Sequence, residues 1–352
     1  MKTIVLTGGG TAGHVTPHLA LLPELKKHFQ KIIYIGSNAV EKEIISQKTD
    51  LQFYEINSVK FVRRHLFKNF LLPLKLIKAK KQALNLLKKI KPDVIFSKGG
   101  YVSVPVVLAG KQLKTPIVCH ESDLSVGLAN KIGARCAETV CTTFKQTADN
   151  IGTKGVFSGS PILAKDLTLN QSQAKERLKI KTSLPILLVT GGSLGSVSIN
   201  NTVISALNDL AKKFFVIHVT GKGNKTPVVS PNYLQIEFAQ NLPLLISASD
   251  IVVSRAGSNT IFELAYAKKP MLLIPLPKGT SRGDQVENAL YFQKQNIAKV
   301  LLQENLTPQR LTSEIESLYK ERQKLVNALS AQKLTNGTTP IINAIIKATK
   351  KK

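Results

Sequence analysis

Both halves of the chain open with the same pattern, a short apolar strand that runs into a glycine-rich loop. Residues 5–10 read Val-Leu-Thr-Gly-Gly-Gly, and residues 188–193 read Leu-Val-Thr-Gly-Gly-Ser. Helical sequence follows each loop, and apolar strands then alternate with helices through both halves. This alternation is typical of parallel, doubly wound sheets. The internal repetition therefore predicts two similar α/β domains.

The break between the two patterns lies near Ser-Gly-Ser-Pro at residues 158–161. A chain of 352 residues, 43% of them hydrophobic, is long and apolar enough for two domains with substantial cores. We predict one domain at 1–162 and a second at 163–334. A C-terminal helix within 335–352 is expected to pack back on the first domain.

The chain is strongly basic, with 49 Lys and Arg against 22 Asp and Glu and a formal net charge of +27. Such a surplus predicts a polyanionic partner: nucleic acid, an anionic membrane or a phosphorylated substrate. A lysine-rich proteome is the alternative explanation. The aromatic content is low and we find no RNA- or DNA-binding motif, so we do not expect a nucleic-acid partner.

Metal, disulfide and membrane-spanning patterns are not found in the sequence. The three cysteines have no metal-site spacing and are expected to be buried thiols in a reducing cytosol. We expect no metal ion and no cofactor. The first strand leads directly into a glycine loop rather than a signal peptide, and no apolar run is long enough to span a bilayer.

Residues 250–263, Asp-Ile-Val-Val-Ser-Arg-Ala-Gly-Ser-Asn-Thr-Ile-Phe-Glu, predict a buried strand, a small-residue turn and the start of a helix. The N–H groups and dipole of such a helix start favour a diphosphate. Glu263 follows about a turn and a half later, where its carboxylate could accept hydrogen bonds from both ribose hydroxyls. The segment predicts a nucleoside diphosphate site, although an ordinary strand–turn–helix with a surface glutamate is the alternative.

The first glycine loop has the G-x-G-x-x-G spacing at Gly8, Gly10 and Gly13, but it is not a dinucleotide fingerprint. Gly-Ser-Asn stands at the end of the second strand, where an acidic residue would hold the ribose of NAD. His14 follows the glycines and could act as a general base. Capping the helix or packing the turn is its alternative role.

Other candidate residues lie at strand ends and helix starts. His-Glu-Ser-Asp at 120–123 ends a strand where α/β sheets place ligands, although a buried His–Glu pair is the alternative. Ser193 could donate to a phosphate. Asp284 is a plausible helix cap, and Gln285 beside it could reach a sugar hydroxyl.

Six motifs stand in a fixed order along the chain, at residues 9–14, 98–101, 120–122, 191–195, 254–263 and 284–288. Each motif is weak alone, whereas their order and spacing along the whole chain are specific. Together they resemble the MurG-type transferases of bacterial cell-wall synthesis.

The resemblance implies a GT-B fold, in which two Rossmann-like domains face each other across a cleft. It also implies inverting transfer of N-acetylglucosamine from UDP-N-acetylglucosamine to undecaprenyl-diphospho-N-acetylmuramoyl-pentapeptide, at the cytoplasmic face of an anionic membrane. A UDP-N-acetylglucosamine 2-epimerase, or another GT-B enzyme with a lipid acceptor, is the alternative.

The resemblance also assigns roles to residues. It makes His14 and Glu121 catalytic, and the acceptor diphosphate would lie at Gly99, Gly100 and Tyr101. The expected contacts to UDP-N-acetylglucosamine are Thr11, Ala12, Gly13, Asp123, Ser193, Ala239, Ser258, Asn259, Thr260, Glu263 and Gln285.

Three positions depart from the family pattern. Ala12 stands where many members have Gly, and Ser122-Asp123 stands where many have Gln-Asn. Leu163 replaces the usual Arg after Gly-Ser-Pro-Ile, so that donor contact is either lost or taken over by Lys165.

Residues 60–91 combine many lysines and arginines with apolar residues that stand among them. We predict that Phe61, Phe67, Phe70 and Leu71 contact the membrane, with basic side chains beside them at the anionic surface. A helix over 69–90 is expected, and its later part, Leu84, Leu86, Leu87 and Ile90, is expected to be core. An ordinary domain helix with solvated lysines is the alternative.

Overall fold

The computed structural model describes residues 2–58, 70–332, 334 and 336–350. The chain divides into two compact units, Met1–Ile162 with Asn336–Lys352 and Leu163–Thr335. Each unit contains one parallel sheet with helices connecting its strands. The α/β class predicted from the repeated strand–glycine pattern is therefore confirmed in both units.

The first unit is built on a seven-stranded sheet of order β3-β2-β1-β4-β5-β6-β7. Its strands are β1 (Thr3–Thr7), β2 (Lys31–Gly36), β3 (Gln52–Glu55), β4 (Val94–Ser97), β5 (Ile117–Glu121), β6 (Thr139–Thr142) and β7 (Gly155–Phe157). Its connecting helices are α1 (Thr16–His28), α2 (Val40–Lys48), α3 (Leu72–Ile90), α4 (Ser103–Gln112), α5 (Leu128–Cys136) and α6 (Lys145–Ile151). The strands β1, β4 and β5 are fully buried, as expected for a parallel sheet covered on both faces.

The second unit has a six-stranded sheet of order β10-β9-β8-β11-β12-β13. The strands are β8 (Ile186–Thr190), β9 (Phe215–Val219), β10 (Tyr233–Ile236), β11 (Ile251–Ser254), β12 (Met271–Leu273) and β13 (Lys299–Val300). The helices are α7 (Gln171–Arg177), α8 (Val197–Lys213), α9 (Leu242–Ala248), α10 (Ser258–Tyr266), α11 (Asp284–Lys294), α12 (Pro308–Lys320) and α13 (Arg322–Ala331). The two strands that open the repeated pattern, β1 and β8, are both buried along their whole length.

The last helix, α14 (Thr338–Thr349), belongs to the first unit. Its isoleucines 341, 342 and 345 are buried in the core that includes β1 and α1. At its start, Asn336 exchanges two hydrogen bonds with the backbone of Ile162, at 3.1 and 2.8 Å. The amide of Gly337 donates to the carbonyl of Ser160 at 2.7 Å. The chain is thus fastened back to the first unit at the point where that unit ends.

In the C-terminal part of the second unit, the helical sequence is interrupted at Glu321, between α12 and α13. The Glu321 carboxylate accepts from Lys299 Nζ at 2.5 Å and from Ser317 Oγ at 2.8 Å. This tertiary ion pair lies where the helix axis breaks, and it carries no signal in the local sequence.

The helix α3 begins at Leu72, three residues later than expected, with Pro73 in its first turn. Pro is well placed there because it has no N–H to leave unsatisfied. Leu87 is buried, and Leu84, Leu86 and Ile90 are partly buried against the core. The predicted core part of this helix is therefore confirmed.

Cys119 and Cys141 are buried free thiols, whereas Cys136 is only partly buried. Among the helices of the described ranges, none is both long enough and apolar enough to cross a bilayer.

Candidate functional site

The first glycine loop leaves the carboxyl end of β1 and is held by Glu41, a buried residue of α2. Gly10 has a φ of +84°, and its N–H donates to Glu41 Oε2 at 3.1 Å. The other carboxylate oxygen accepts from the N–H of Ser37 at 3.0 Å and from the Ser37 hydroxyl. A Cβ on Gly9 would lie 2.6 Å from the Glu41 carboxyl carbon. Glu41 thus fixes the loop, a role that the sequence analysis missed.

The second glycine turn follows β4 and packs directly on the first loop. Gly99 and Gly100 have φ values of +90° and +78°. A Cβ on Gly100 would lie 2.1 Å from the Gly9 carbonyl oxygen, and a Cβ on Gly10 would lie 2.4 Å from the Tyr101 ring. Only glycine fits these positions. The structure therefore brings together the two glycine motifs that the sequence placed 90 residues apart.

His14 lies in a short 3-10 turn, Ala12–His14, between the first loop and α1. Its Nδ1 is 2.8 Å from the Thr11 hydroxyl oxygen, and both side chains are accessible to solvent. A neutral imidazole carries one N–H, and the Thr11 hydroxyl can pair with either tautomer because it both donates and accepts. When Nδ1–H donates to Thr11, Nε2 has the lone pair that a general base needs.

Glu121, at the end of β5, is buried and fully engaged. Its Oε1 accepts from the N–H of Asp123 at 3.0 Å. Its Oε2 accepts from the N–H of Gly127 at 2.9 Å and from the Asn130 amide at 3.0 Å. Burial, followed by the charge of Asp123, raises the pKa of this carboxyl group. The carboxylate holds the loop 122–127 in place.

In the second unit, the segment from β11 to α10 has the predicted form of a strand, a turn and a helix start. Gly257 precedes the helix, and a Cβ there would meet no atom of the described residues within 4 Å. Ser258 begins the helix and is buried, whereas Asn259 and Thr260 are partly exposed. Open space lies at the positive end of the helix dipole, where an anion would be stabilised.

Glu263 is partly buried on α10. Within the described part of the chain, its carboxylate has no hydrogen-bonding or ion-pairing partner. Burial raises its pKa to about 7. A recessed carboxylate without a protein partner is suited to receive hydroxyl donors from a ligand.

Arg255 ties the α10 turn to the second glycine-loop helix, and the sequence analysis did not single it out. Its guanidinium donates to Ser196 Oγ at 2.6 Å, to Ser198 Oγ at 3.2 Å and to Gln303 Oε1 at 2.6 Å. It also donates to the carbonyls of two residues after β12. Ser196 caps α8, so the Arg255 network fixes two helix starts together.

The remaining candidates of the second unit lie on loops and at a helix start. Ser193 is exposed in the loop between β8 and α8, and Ala239 is partly buried after β10. Gln285 uses Oε1 to accept from the Leu276 N–H at 3.0 Å, so its amide nitrogen is the group that would donate to a sugar. Leu163 and Lys165 are both exposed.

Three buried histidines make the fold sensitive to acid. Burial lowers the pKa of His218 to about 4, that of His18 to about 3 and that of His120 well below its usual value. Unfolded imidazoles bind protons near pH 6.5, whereas these do so only at much lower pH. Their contribution to stability is complete above pH 6.5 and is lost as the pH falls, through about 4 for His218 and through about 3 for His18.

His218 gives a direct test of this acid sensitivity. Its Nε2–H donates to Asn200 Oδ1 at 3.0 Å and its Nδ1 accepts from the Tyr233 hydroxyl at 2.9 Å, so protonation removes the acceptor of the second bond. We expect His218→Gln to be less stable than the natural protein at pH 7, by a margin that shrinks at pH 5. Urea unfolding at both pH values measures this, and an unchanged margin would rule out His218 as a source.

Comparison with known proteins agrees with this description. Residues 4–142 match the glycosyltransferase family 28 N-terminal domain, and residues 186–344 match the family 28 C-terminal domain. Two relatives from Clostridium botulinum (strain 657) and Clostridium perfringens (strain SM101) are 45% and 44% identical to the chain. The alignments cover 99% and 98% of the chain and 100% and 98% of the relatives. Both are called UDP-N-acetylglucosamine--N-acetylmuramyl-(pentapeptide) pyrophosphoryl-undecaprenol N-acetylglucosamine transferase.

Solved structures show the same fold. The crystal structure of Acinetobacter baumannii MurG has a TM-score of 0.74 at 23% identity, covering 99% of this chain and 100% of that one. The UDP-GlcNAc 2-epimerase of Neisseria meningitidis has a TM-score of 0.66 at 17% identity and covers 100% of both chains. The fold and its glycine-loop sites define a glycosyltransferase of the GT-B class, as the sequence predicted. Because the clostridial relatives match over nearly the whole chain, the protein belongs to glycosyltransferase family 28, in the group that these transferases form.

Proposed function

We propose that this protein transfers N-acetylglucosamine from UDP-N-acetylglucosamine to undecaprenyl-diphospho-N-acetylmuramoyl-pentapeptide, with inversion at the anomeric carbon. The observation that carries the proposal is the 45% identity with a relative of that name along both units. The second unit would bind the donor and the first unit the acceptor.

The donor assignment is supported by the α10 start and Glu263. The UDP diphosphate would lie at the helix N-terminus, near Ser258, Asn259 and Thr260, where N–H groups and the dipole favour negative charge. Glu263 would accept hydrogen bonds from both ribose hydroxyls. The remaining donor contacts would come from Gln285 at the sugar, from Ser193 at the diphosphate, and from Ala239, Thr11, Ala12, Gly13 and Asp123.

The acceptor assignment is supported by the glycine turn of the first unit. Gly99 and Gly100 present backbone at close range without side chains, and Tyr101 adds a hydroxyl group beside them. These three residues would hold the acceptor diphosphate. Basic residues elsewhere on this unit would attract the same polyanionic substrate.

The chemistry of transfer needs one base and a stabilised leaving group. The acceptor hydroxyl oxygen forms the new bond to the anomeric carbon while the bond from that carbon to the UDP oxygen breaks. His14 Nε2 takes the hydroxyl proton, with Nδ1–H donating to Thr11. The α10 helix start stabilises the negative charge that develops on UDP. Glu121 acts as a positioning residue, because its carboxylate is engaged by the loop 122–127.

Incubation with UDP-N-acetylglucosamine, with and without the lipid-linked acceptor, tests the proposal. We expect UDP to be released only when the acceptor is present. An epimerase would instead form a new UDP-sugar from the donor alone, and that outcome would replace the transferase assignment.

The first unit is also proposed to dock on an anionic membrane through the start of α3. Just before α3, Phe70 is 85% exposed and Leu71 49% exposed, and on α3 itself Leu74 and Ile77 are 65% and 63% exposed. Exposed lysines 75, 78 and 81 lie among them. Apolar side chains would enter the interface while each nearby lysine contributes about 1 kcal/mol at an anionic surface. Phe61 and Phe67, also predicted to dock, lie outside the described residues.

We expect Phe70→Glu combined with Leu71→Glu to weaken binding to anionic vesicles strongly while leaving the melting temperature nearly unchanged, because both side chains are exposed. Vesicle sedimentation measures the binding. Val156→Glu with Phe157→Glu is the matched control, since these neighbours are also apolar and are 40% and 50% exposed in the same unit. If the Phe70/Leu71 double variant binds anionic vesicles as well as the Val156/Phe157 double variant does, the docking surface lies elsewhere.

A further inference from the structure

Lys98 is a buried lysine of the first unit, between the second glycine turn and the loop 122–127. It follows β4 and directly precedes the Gly99–Gly100 turn, and it is only 1% exposed. Burying an ammonium group is costly unless the charge is compensated and hydrogen-bonded. Its Nζ donates to the hydroxyl of Ser122, in the loop that follows β5. This bond joins the acceptor-side glycine turn to the loop 122–127.

The surroundings of Lys98 are negative on one side and neutral on the other. The charges of Glu121 and Asp123 face its ammonium group. His18 of α1 and His120 of β5 also lie near it, and burial keeps both imidazoles neutral. On the β1 side, a Cβ built on Gly8 would be 3.1 Å from the Lys98 Cβ.

Glu121 does not depend on Lys98 for hydrogen bonds, because three N–H donors already bind its carboxylate. Lys98 instead bonds Ser122 directly and faces the charge of Asp123. These two residues present a hydroxyl group and a carboxylate, with the buried ammonium group of Lys98 behind them.

We propose that Lys98 is a positioning residue for transfer, whose ammonium group holds Ser122 and Asp123 in the geometry that contacts the donor sugar. Lys98, Ser122 and Asp123 together form a charged unit. The inference rests on the proposed transferase function and extends it to a residue that touches neither substrate.

Such a role makes catalysis sensitive to alkaline pH. Burial lowers the pKa of Lys98 to about 8, against the opposing effect of the two carboxylates. The ammonium form is present below this pH and is lost as the pH rises through it. The kcat/KM for the donor is therefore expected to fall above about pH 8.

A double-mutant cycle tests the proposal through Lys98→Met, Asp123→Asn and their combination. We expect Lys98→Met to raise the donor KM roughly 10-fold or more, as loss of a charged hydrogen bond implies, with a smaller change in kcat. The double variant removes both charges, so it should recover most of the lost affinity and show no alkaline decline near pH 8. Lys111→Met, at an exposed lysine on α4, is the control and should resemble the natural protein.

Each outcome decides between a positioning and a merely structural role. Lys98→Met with a natural donor KM, or a double variant that recovers nothing, would overturn the proposal. If Lys98→Met does not fold, the double variant decides. A double variant that folds and is active without the alkaline decline supports the proposal, whereas a double variant that does not fold overturns it. Absence of transfer by the natural protein would instead overturn the proposed function itself.

Discussion

Replacement of His14 by alanine is expected to lower kcat by about 10²- to 10⁴-fold, the contribution typical of a general base. The donor KM should change little, because His14 acts on the acceptor proton. His14 lies in a turn and is partly exposed, so the melting temperature should be nearly unchanged. Initial rates of UDP release at saturating acceptor measure the effect.

His28→Ala is the matched control for this experiment. His28 is the last residue of α1 and lies 3.4 Å from Glu24 at the surface. The His28→Ala substitution should leave kcat unchanged. A His14→Ala enzyme within a few-fold of natural kcat would remove the base assignment, whereas loss of folding would show that the turn, not the proton transfer, depends on His14.

The second large effect concerns Glu263. Glu263→Ala removes the carboxylate that would receive both ribose hydroxyls, and losing a charged hydrogen bond costs roughly 1.5–3 kcal/mol. The donor KM should therefore rise roughly 10- to 150-fold, with a smaller fall in kcat. Glu304→Ala, at an exposed glutamate of the same unit, is the control.

The pH dependence of the donor KM is an independent test of the role of Glu263. Its pKa of about 7 means that the ionised form dominates above neutral pH and is lost as the pH falls. Donor KM should rise below pH 7 in the natural protein, and Glu263→Ala should remove this rise. A donor KM that is unchanged by the substitution would contradict the ribose contact.

The sequence identified local features of the donor-side segment because they depend on neighbouring residues. The run from β11 into α10 combines an apolar strand, a small-residue turn and helical sequence, and each part is recognisable from its own residues. The same holds for the glycine loops after β1 and β8. The core part of α3 was also predictable, since its apolar residues recur with helical spacing.

Features that depend on distant residues were missed. Glu41 reaches Gly10 across 31 positions, and Arg255 reaches Ser196 across 59. The ion-pair partner of Glu321, at the interruption between α12 and α13, is Lys299, 22 positions earlier. The helix α7 did carry a local signal that was missed, because Asn170 and Gln173 form a reciprocal capping box at its start. Contacts between segments are thus what the sequence pattern could not supply.

The structure of the product formed from UDP-N-acetylglucosamine and the undecaprenyl-linked muramoyl-pentapeptide tests the proposed transfer most directly. We expect one UDP for each disaccharide lipid formed, with the new N-acetylglucosamine in β-linkage. Mass spectrometry of the lipid product and its anomeric proton coupling measure both. An α-linked product would contradict inversion, and consumption of the donor without any disaccharide lipid would contradict the transferase function.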